Sequence, residues 1–227
     1  ENPHHPIYKE YLEEHYHNYD TVFLFDSVLA KEMNTAAGPN CRVLYMPMAL
    51  DPSYYLADNL TPADQKKFSC DVCFAGAMYP EREKLLKAVA SLGVELKIFG
   101  WPQWEKSALA QYYQGPLNVN EMAKLFRVAR ISLNNNLQPA KGSVNLKTFE
   151  IPASRGFEFC DYQHDLSGVF EIGKELVAYQ SSQDLLEKIK YFLAHEKERQ
   201  AIAMAGYRRV IKDHTLENRI KQIMSLL

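Results

Sequence analysis

The chain has 227 residues, of which 47% are hydrophobic and 24% are charged, and its formal net charge is −2. This composition is typical of a globular domain with a sizeable core, and the near-neutral charge argues against a nucleic-acid-binding surface. No apolar run approaches the roughly 18 residues that a membrane-spanning helix needs, so we expect no transmembrane segment.

The start of the chain predicts the end of a smaller unit. Apolar and aromatic residues at spacings of three and four predict a helix over 7–19. Two short apolar runs at 21–25 and 42–47 predict buried strands on either side of a short helix at 27–33. Residues 51–67 are rich in turn-forming residues, and we interpret them as a linker.

From residue 68 onward, predicted strands alternate regularly with predicted helices. The strands lie at 71–75, 94–99, 131–134, 157–160 and 175–179, and the helices at 80–91, 104–112, 121–130 (capped by Asn120), from 147 onward, 182–194, 196–213 and 216–227. Such alternation argues for a parallel sheet wrapped by helices. We therefore predict a doubly wound α/β domain at 68–227, a linker at 51–67 and a remnant of another domain at 1–50.

The cysteines favour a reduced, cytoplasmic protein. Cys70 and Cys73 form a C-x-x-C motif in a segment that is predicted to be a strand, where residues three apart point to opposite faces. A zinc or redox site needs a second pair or a helix start at this place, so we expect buried thiols and no metal. The chain begins with Glu1 rather than Met, which is compatible with a processed product or with a piece of a longer protein.

Polar and glycine residues follow three predicted strands, and in an open parallel sheet ligands bind beyond the carboxyl ends of the strands. At the first of these ends, Gly76 permits close approach of a ligand and Arg82 can reach phosphate oxygens. A plain turn with a solvated Arg82 is the alternative. At the second, the turn formed by Gly115, Pro116 and Leu117 either presents backbone groups to a flat base or is simply a turn.

The third strand end is the most informative part of the sequence. Asn134 ends an apolar strand, and the turn of Gly142 and Ser143 precedes a helix that carries Lys147 and Glu150 on one face. Backbone N–H groups and the helix dipole favour an anion at such a helix start. A carboxylate there suits ribose hydroxyls better than phosphate. The arrangement suggests nucleotide-sugar binding, and the alternative is an exposed ion pair that contributes little to stability.

These motifs resemble those of a known family. The segment NLKTFEIPA at 145–153, followed by GF at 156–157 and DY at 161–162, is similar to the core of CgeB-like group 1 glycosyltransferases. The tail at 170–215 agrees with that family, and the segment at 18–52 resembles the end of the family's first domain. The resemblance therefore covers most of the chain.

The resemblance implies the GT-B fold, in which two Rossmann-like domains face each other across a cleft. The C-terminal domain holds the nucleotide-sugar donor and the N-terminal domain holds the acceptor. Glu150 is then expected to bind the ribose, Lys147 to neutralise the diphosphate, and Arg82 to close the phosphate side. The full set of expected donor-binding residues is Gly76, Tyr79, Arg82, Gly115, Pro116, Leu117, Asn134, Gly142, Ser143, Val144, Asn145, Lys147 and Glu150, with Arg82 and Lys147 also candidates for catalysis.

The chain departs from the family pattern at two positions. Related retaining enzymes carry a glutamate eight positions before the one matched by Glu150, and Gly142 stands there in this chain. Lys147 replaces the usual arginine, which keeps the charge but loses bidentate geometry.

The sequence therefore predicts the donor-binding part of a glycosyltransferase. It would use a nucleoside diphosphate sugar, with UDP favoured because uridine donors are common in this fold, together with an unidentified acceptor and no metal or other cofactor. The general base of an inverting enzyme would come from the domain that is mostly absent, so the isolated chain is expected to bind donor without transferring it. The alternatives are a non-catalytic nucleotide-sugar-binding or scaffold protein and a flavodoxin-like flavin-binding domain.

Overall fold

The computed structural model of the protein describes residues 14–37, 39, 41–136 and 142–226. The strands within these ranges are β1 (Thr21–Leu24), β2 (Arg42–Tyr45), β3 (Val72–Ala75), β4 (Leu96–Phe99), β5 (Ile131–Asn134), β6 (Glu158–Asp161) and β7 (Val177–Tyr179). β1 and β2 pair in parallel, and the other described strands form a parallel sheet in the order β4-β3-β5-β6-β7. β3 and β5 are buried along their whole length, because helices cover both faces of the sheet.

Helices make up most of the remaining structure. Those in the described ranges are α1 (Ser27–Ala37), α2 (Pro62–Phe68), α3 (Pro80–Ala90), α4 (Val119–Val128), α5 (Lys147–Ala153), α6 (Leu166–Val169), α7 (Ser182–Ala194), α8 (Glu196–Asp213) and α9 (Leu216–Leu226). None of these helices is both long enough and apolar enough to cross a bilayer.

The two faces of the larger sheet carry different helices. On one face, Val72 and Phe74 of β3 pack with α3 and α7. On the other face, Cys73 and Ala75 pack with α4 and with Ile151 of α5. Because α3 follows β3 and α5 follows β5, the connections of these adjacent strands leave the sheet on opposite sides. Such a switch opens a crevice at the carboxyl ends of the two strands, where ligands bind in open α/β sheets.

The C-terminal helix contacts the segment that follows β2. Arg219 of α9 donates hydrogen bonds to the carbonyl oxygens of Pro47 (2.7 Å) and Met48 (3.2 Å), which follow β2. Leu50 forms a parallel bridge with Thr215, just before α9. The small sheet and α1 also have a core of their own. The residues that follow β2 are therefore held by α9 and by the residue just before it.

The predicted fold class is confirmed, since the larger sheet is parallel and helices cover both of its faces. The bounds predicted for α7 and α8 are also correct. The domain bounds 1–50, 51–67 and 68–227 stay a prediction. The predicted helix at 7–19 lies mostly outside the described residues, of which Tyr16–Asn18 form a 3₁₀ turn.

Three local predictions are wrong. Residues 104–112 form two 3₁₀ turns, Pro102–Lys106 and Ala110–Tyr112, instead of a helix, because the Ser107 hydroxyl between them accepts the amide of Leu109 and replaces a helical hydrogen bond. The cap of α4 is Asn118 rather than Asn120, since Asn118 and Glu121 form a reciprocal capping box. Part of the predicted linker is the helix α2, which a second capping box starts.

Candidate functional site

Asn134 ends β5 and holds the turn that leads to α5. Its side-chain amide nitrogen lies 3.1 Å from Asn145 Oδ1 and 2.9 Å from Glu158 Oε1, and its oxygen accepts from Asn145 Nδ2 at 2.9 Å. All of these partners belong to the protein, and Asn134 is buried. The structure therefore gives Asn134 a role in positioning the turn, while its predicted contact with a donor stays a prediction.

A second asparagine holds the same turn from the other side. Asn136 Oδ1 accepts the amide of Asn145 at 2.8 Å. The amide of Asn136 donates to Asp161 Oδ1 at 2.7 Å, at the end of β6. Burial raises the pKa of Asp161, and the hydrogen bond from Asn136 opposes that shift. The floor of the crevice is thus a connected polar network.

Lys147 and Glu150 lie on α5, above this network. Lys147 is half-buried; burial lowers its pKa, the nearby Glu150 opposes this shift, and Arg82 adds to it. Glu150 is only 7% exposed, and its Oε1 accepts a hydrogen bond from the hydroxyl of Tyr55 at 2.7 Å. The alternative of an exposed ion pair is therefore wrong, because Glu150 is buried and bonded to Tyr55.

Arg82 brings a second cation to the crevice. Its guanidinium is buried and donates to the carbonyl oxygens of Ala77 (3.0 Å) and Asn135 (2.8 Å), so it spans the ends of β3 and β5. The ring of Tyr79 lies 5.3 Å from the guanidinium carbon. Burial lowers the pKa of Arg82. The alternative of a solvated Arg82 in a plain turn is wrong.

Gly76 and the turn at 115–117 are neighbours through Gly100. A Cβ on Gly100 would lie 2.2 Å from the carbonyl oxygen of Gly76, and the amide of Gly100 donates to the carbonyl oxygen of Gly115 at 3.1 Å. Gly115 has φ +100°, which glycine adopts without strain. Pro116 is exposed, and Leu117 packs against the cluster that includes α4. The predicted base-contacting turn is therefore close to the end of β3.

The turn at 142–144 meets a residue that the sequence analysis did not single out. The amides of Gly142 and Ser143 donate to Asp26 Oδ2 at 3.2 and 3.1 Å, and Asp26, which follows β1, is fully buried. Val144 buries its side chain in the core beside Phe149, so only its backbone is available to a ligand. The turn predicted to bind the diphosphate thus already binds a carboxylate.

Sequence reasoning missed Asp26 and Tyr55 for different reasons. Asp26 follows a predicted strand, and applying the strand-end rule to the N-terminal unit as well would have found it. Tyr55 lies in the segment interpreted as a linker, and no local pattern marks it. It ends the 3₁₀ turn Pro52–Tyr55, which Asp51 caps by accepting the amide of Ser53.

The predicted burial of the cysteines is confirmed. All four are free and buried, and burial raises the pKa of the Cys73 thiol to about 12. In the described ranges, no group of three or more His, Cys, Asp and Glu side chains is placed to hold a metal ion.

Comparison with known proteins shows the family and the fold of this chain. The model of the family described as Glycosyl transferase-like matches residues 82–225, more than half of the chain. Spore protein CgeB of Bacillus subtilis (strain 168) is 23% identical over 225 residues, which cover 86% of this chain and 66% of CgeB. The chain therefore spans just under two thirds of that relative.

Solved structures share the fold at low identity. Anabaena HepE in complex with UDP-glucose has a TM-score of 0.71 at 12% identity, over 91% of this chain and 63% of HepE. A sucrose-phosphate synthase from Thermosynechococcus elongatus has a TM-score of 0.70 at 15% identity, over 94% of this chain and 59% of that enzyme. These likenesses confirm the GT-B type of fold, and the match at 82–225 identifies the chain as a member of the Glycosyl transferase-like family.

Proposed function

We propose that this chain binds a nucleoside diphosphate sugar and that the protein transfers the sugar of this donor to an acceptor. The observation that carries the proposal is the presence at one crevice of two partly desolvated cations, Arg82 and Lys147, beside the buried carboxylate Glu150. Anabaena HepE, which shares the fold, is known in complex with UDP and with UDP-glucose. A UDP-type donor is therefore the first choice.

The charges divide naturally between two parts of such a donor. Arg82 and Lys147 suit the diphosphate, because a cation away from bulk water attracts an anion more strongly than it does in water. They would also stabilise the charge that develops on the departing nucleoside diphosphate, which is why we propose no metal. Glu150 suits the ribose, whose hydroxyls donate to a carboxylate, and the turn at 115–117 suits the base.

The isolated chain is proposed to bind donor without transferring it. A general base would come from the acceptor side of the cleft, and the chain spans 66% of its CgeB relative. We expect UDP-glucose to bind without turnover when only this chain is present. Turnover onto an acceptor by the chain alone would contradict this division of roles.

A non-catalytic sugar-nucleotide-binding or scaffold protein is the second candidate. It is favoured by Gly142, which lacks the carboxylate of related retaining enzymes, and by Arg82, whose guanidinium is partly used on the carbonyl oxygens of Ala77 and Asn135. The two candidates separate in the longer parent protein. An enzyme hydrolyses its donor or transfers the sugar, and it loses this activity in Glu150→Ala. A scaffold neither hydrolyses the donor nor transfers its sugar.

Calorimetric titration with UDP, GDP and TDP tests donor binding directly. We expect one diphosphate to bind, and Glu150→Ala and Lys147→Ala each to weaken it by about 1.5–3 kcal/mol, the contribution of a hydrogen bond to a charged group. Lys66→Ala, which removes an exposed lysine of α2, is the matched control and should bind like the unaltered chain. Failure of all three nucleotides to bind would refute the proposal, and a yellow purified protein would favour a flavin site instead.

A further inference from the structure

Five residues form a reciprocal set of contacts between the N-terminal unit and the crevice. We name Asp26, Ser27, Gly142, Ser143 and Asp165 the Asp26–Asp165 cluster. Asp26 Oδ2 accepts the amides of Gly142 and Ser143, and Asp165 Oδ2 accepts the amide of Ser27 at 2.9 Å. The Ser27 hydroxyl also donates to Asp165 Oδ1, and the amide of Asp165 donates to the carbonyl oxygen of Gly142 at 3.0 Å.

Asp26 holds two helix-forming segments at once. Its Oδ1 accepts the amide of Leu29 at 2.9 Å and so caps α1, while Oδ2 faces the turn before α5. The side chain is fully buried, so neither oxygen faces bulk water. Asp26 thus joins the loop after β1 firmly to the turn of Gly142 and Ser143.

Two carboxylates lie close to Gly142. A Cβ on Gly142 would lie 3.3 Å from Asp26 Oδ1 and 3.3 Å from Asp165 Oδ1. A phosphate at the same amides would have to share their hydrogens with Asp26 and would be repelled by both carboxylates. A diphosphate and Asp26 therefore cannot both bind this turn.

The hydroxyl of Tyr45 is an unsatisfied polar group close to the Asp26–Asp165 cluster. It is buried with no hydrogen-bond partner among the described residues. Asp165 and Asp26 are both near enough to raise its pKa, after the larger effect of burial. The hydroxyl therefore lies near both carboxylates of the cluster without a hydrogen bond to either.

We propose that Asp26 is an internal competitor of the donor diphosphate, which binds the amides of Gly142 and Ser143 only after the loop after β1 has withdrawn. This inference rests on the proposed function, because it needs a diphosphate that binds at this turn. Donor affinity then reports two steps, opening of the Asp26–Asp165 cluster and binding to the freed amides. The measured affinity is lowered in proportion to the fraction of molecules that are open.

Titration with UDP at fixed pH and salt compares the unaltered chain with two variants. Asp26→Asn keeps an oxygen to cap Leu29 but loses the anionic acceptor for the turn. If about a tenth of the molecules are open, the Kd for UDP should fall by about tenfold. Ser27→Ala removes the hydroxyl that bonds Asp165 Oδ1 but keeps the amide bond to Asp165 Oδ2, so it should lower the Kd by a smaller factor. Asp20→Asn removes an exposed charge just before β1 and is the matched control.

The outcomes separate the inference from the proposed function. If the unaltered chain binds UDP and Asp26→Asn binds it equally well or more weakly, the competitor reading is overturned and the proposed function stands. If neither the unaltered chain nor the variants bind UDP, GDP or TDP, both fall. Should Asp26→Asn not fold, as judged by circular dichroism, Ser27→Ala decides: a Kd for UDP below that of Asp20→Asn supports the inference, and an equal or higher Kd overturns it.

Discussion

The hydrogen bond between Tyr55 and Glu150 should be measurable as unfolding free energy. Both residues are only 7% exposed, and the hydroxyl lies 2.7 Å from Glu150 Oε1. Burial and this bond to Glu150 raise the pKa of Tyr55, so the hydroxyl keeps its proton. Tyr55→Phe removes the hydroxyl and leaves a buried carboxylate oxygen without its donor.

The expected loss follows from the charge of the acceptor. Hydrogen bonds to charged groups contribute about 1.5–3 kcal/mol, and little of this is lost to solvent screening at so buried a pair. Each kcal/mol lowers the melting temperature of a chain of 150–250 residues by about 2–4 °C. Urea unfolding and thermal melts should therefore both detect Tyr55→Phe.

The neighbouring tyrosine supplies the control. Tyr54 lies in the same 3₁₀ turn but is 62% exposed, so Tyr54→Phe should change the unfolding free energy by less than about 0.5 kcal/mol. A double-mutant cycle of Tyr55→Phe with Glu150→Ala should give a coupling energy of about 0.5–3 kcal/mol. Equal stabilities of Tyr55→Phe and Tyr54→Phe, or a coupling near zero, would refute the reasoning.

Two further predictions concern packing and pH. Gly206→Ala should lower the free energy of unfolding by about 1–3 kcal/mol, because a Cβ there would lie 2.3 Å from the backbone oxygen of Glu175. In the control Gly168→Ala a Cβ meets nothing within 4 Å, so its melting temperature should be almost unchanged. Equal losses in the two variants would contradict the prediction. Burial raises the pKa of Glu158 from 4.5 to about 8. Between pH 4.5 and pH 8 the folded state therefore keeps a proton that the unfolded state has lost. The contribution of this group to the unfolding free energy is complete below pH 4.5 and is lost as the pH rises to about 8. Glu158→Gln should flatten this dependence in urea titrations at pH 5 and pH 8, and an unchanged difference between the two pH values would contradict the assignment.

Local patterns were enough to predict most of the regular elements and to place Lys147 and Glu150 on one helix. Apolar spacing predicted α7 and α8 to the residue, because a helix that packs one face on a sheet repeats that face in its sequence. Lys147 and Glu150 could be identified because both follow one strand within a single short motif. Prediction failed at 104–112, where apolar spacing resembles a helix but a serine side chain competes for a backbone amide.

The partners of the site residues could not be predicted from local sequence patterns. Tyr55 meets Glu150 across 95 positions of the chain, and Asp26 meets Gly142 across 116. Contacts between residues so far apart in the chain produce no periodic pattern in the sequence, because each depends on how a connecting segment packs against the sheet. The burial of Glu150 belongs to the same class, since it depends on the turn that ends at Tyr55.

The turn before α5 shows how far a motif determines a site. Its sequence predicted affinity for an anion, and in the structure the amides of Gly142 and Ser143 do bind one, the carboxylate of Asp26. Backbone amides donate hydrogen bonds to carboxylate and phosphate oxygens alike, so the motif specifies the chemistry of the partner but not its source. Whether the occupant is internal or a donor depends on the free energy of withdrawing the loop after β1 against the attraction of Arg82 and Lys147 for a diphosphate. That balance is a property of the packed molecule, and substitutions at Asp26 and at Lys147 should shift it in opposite directions.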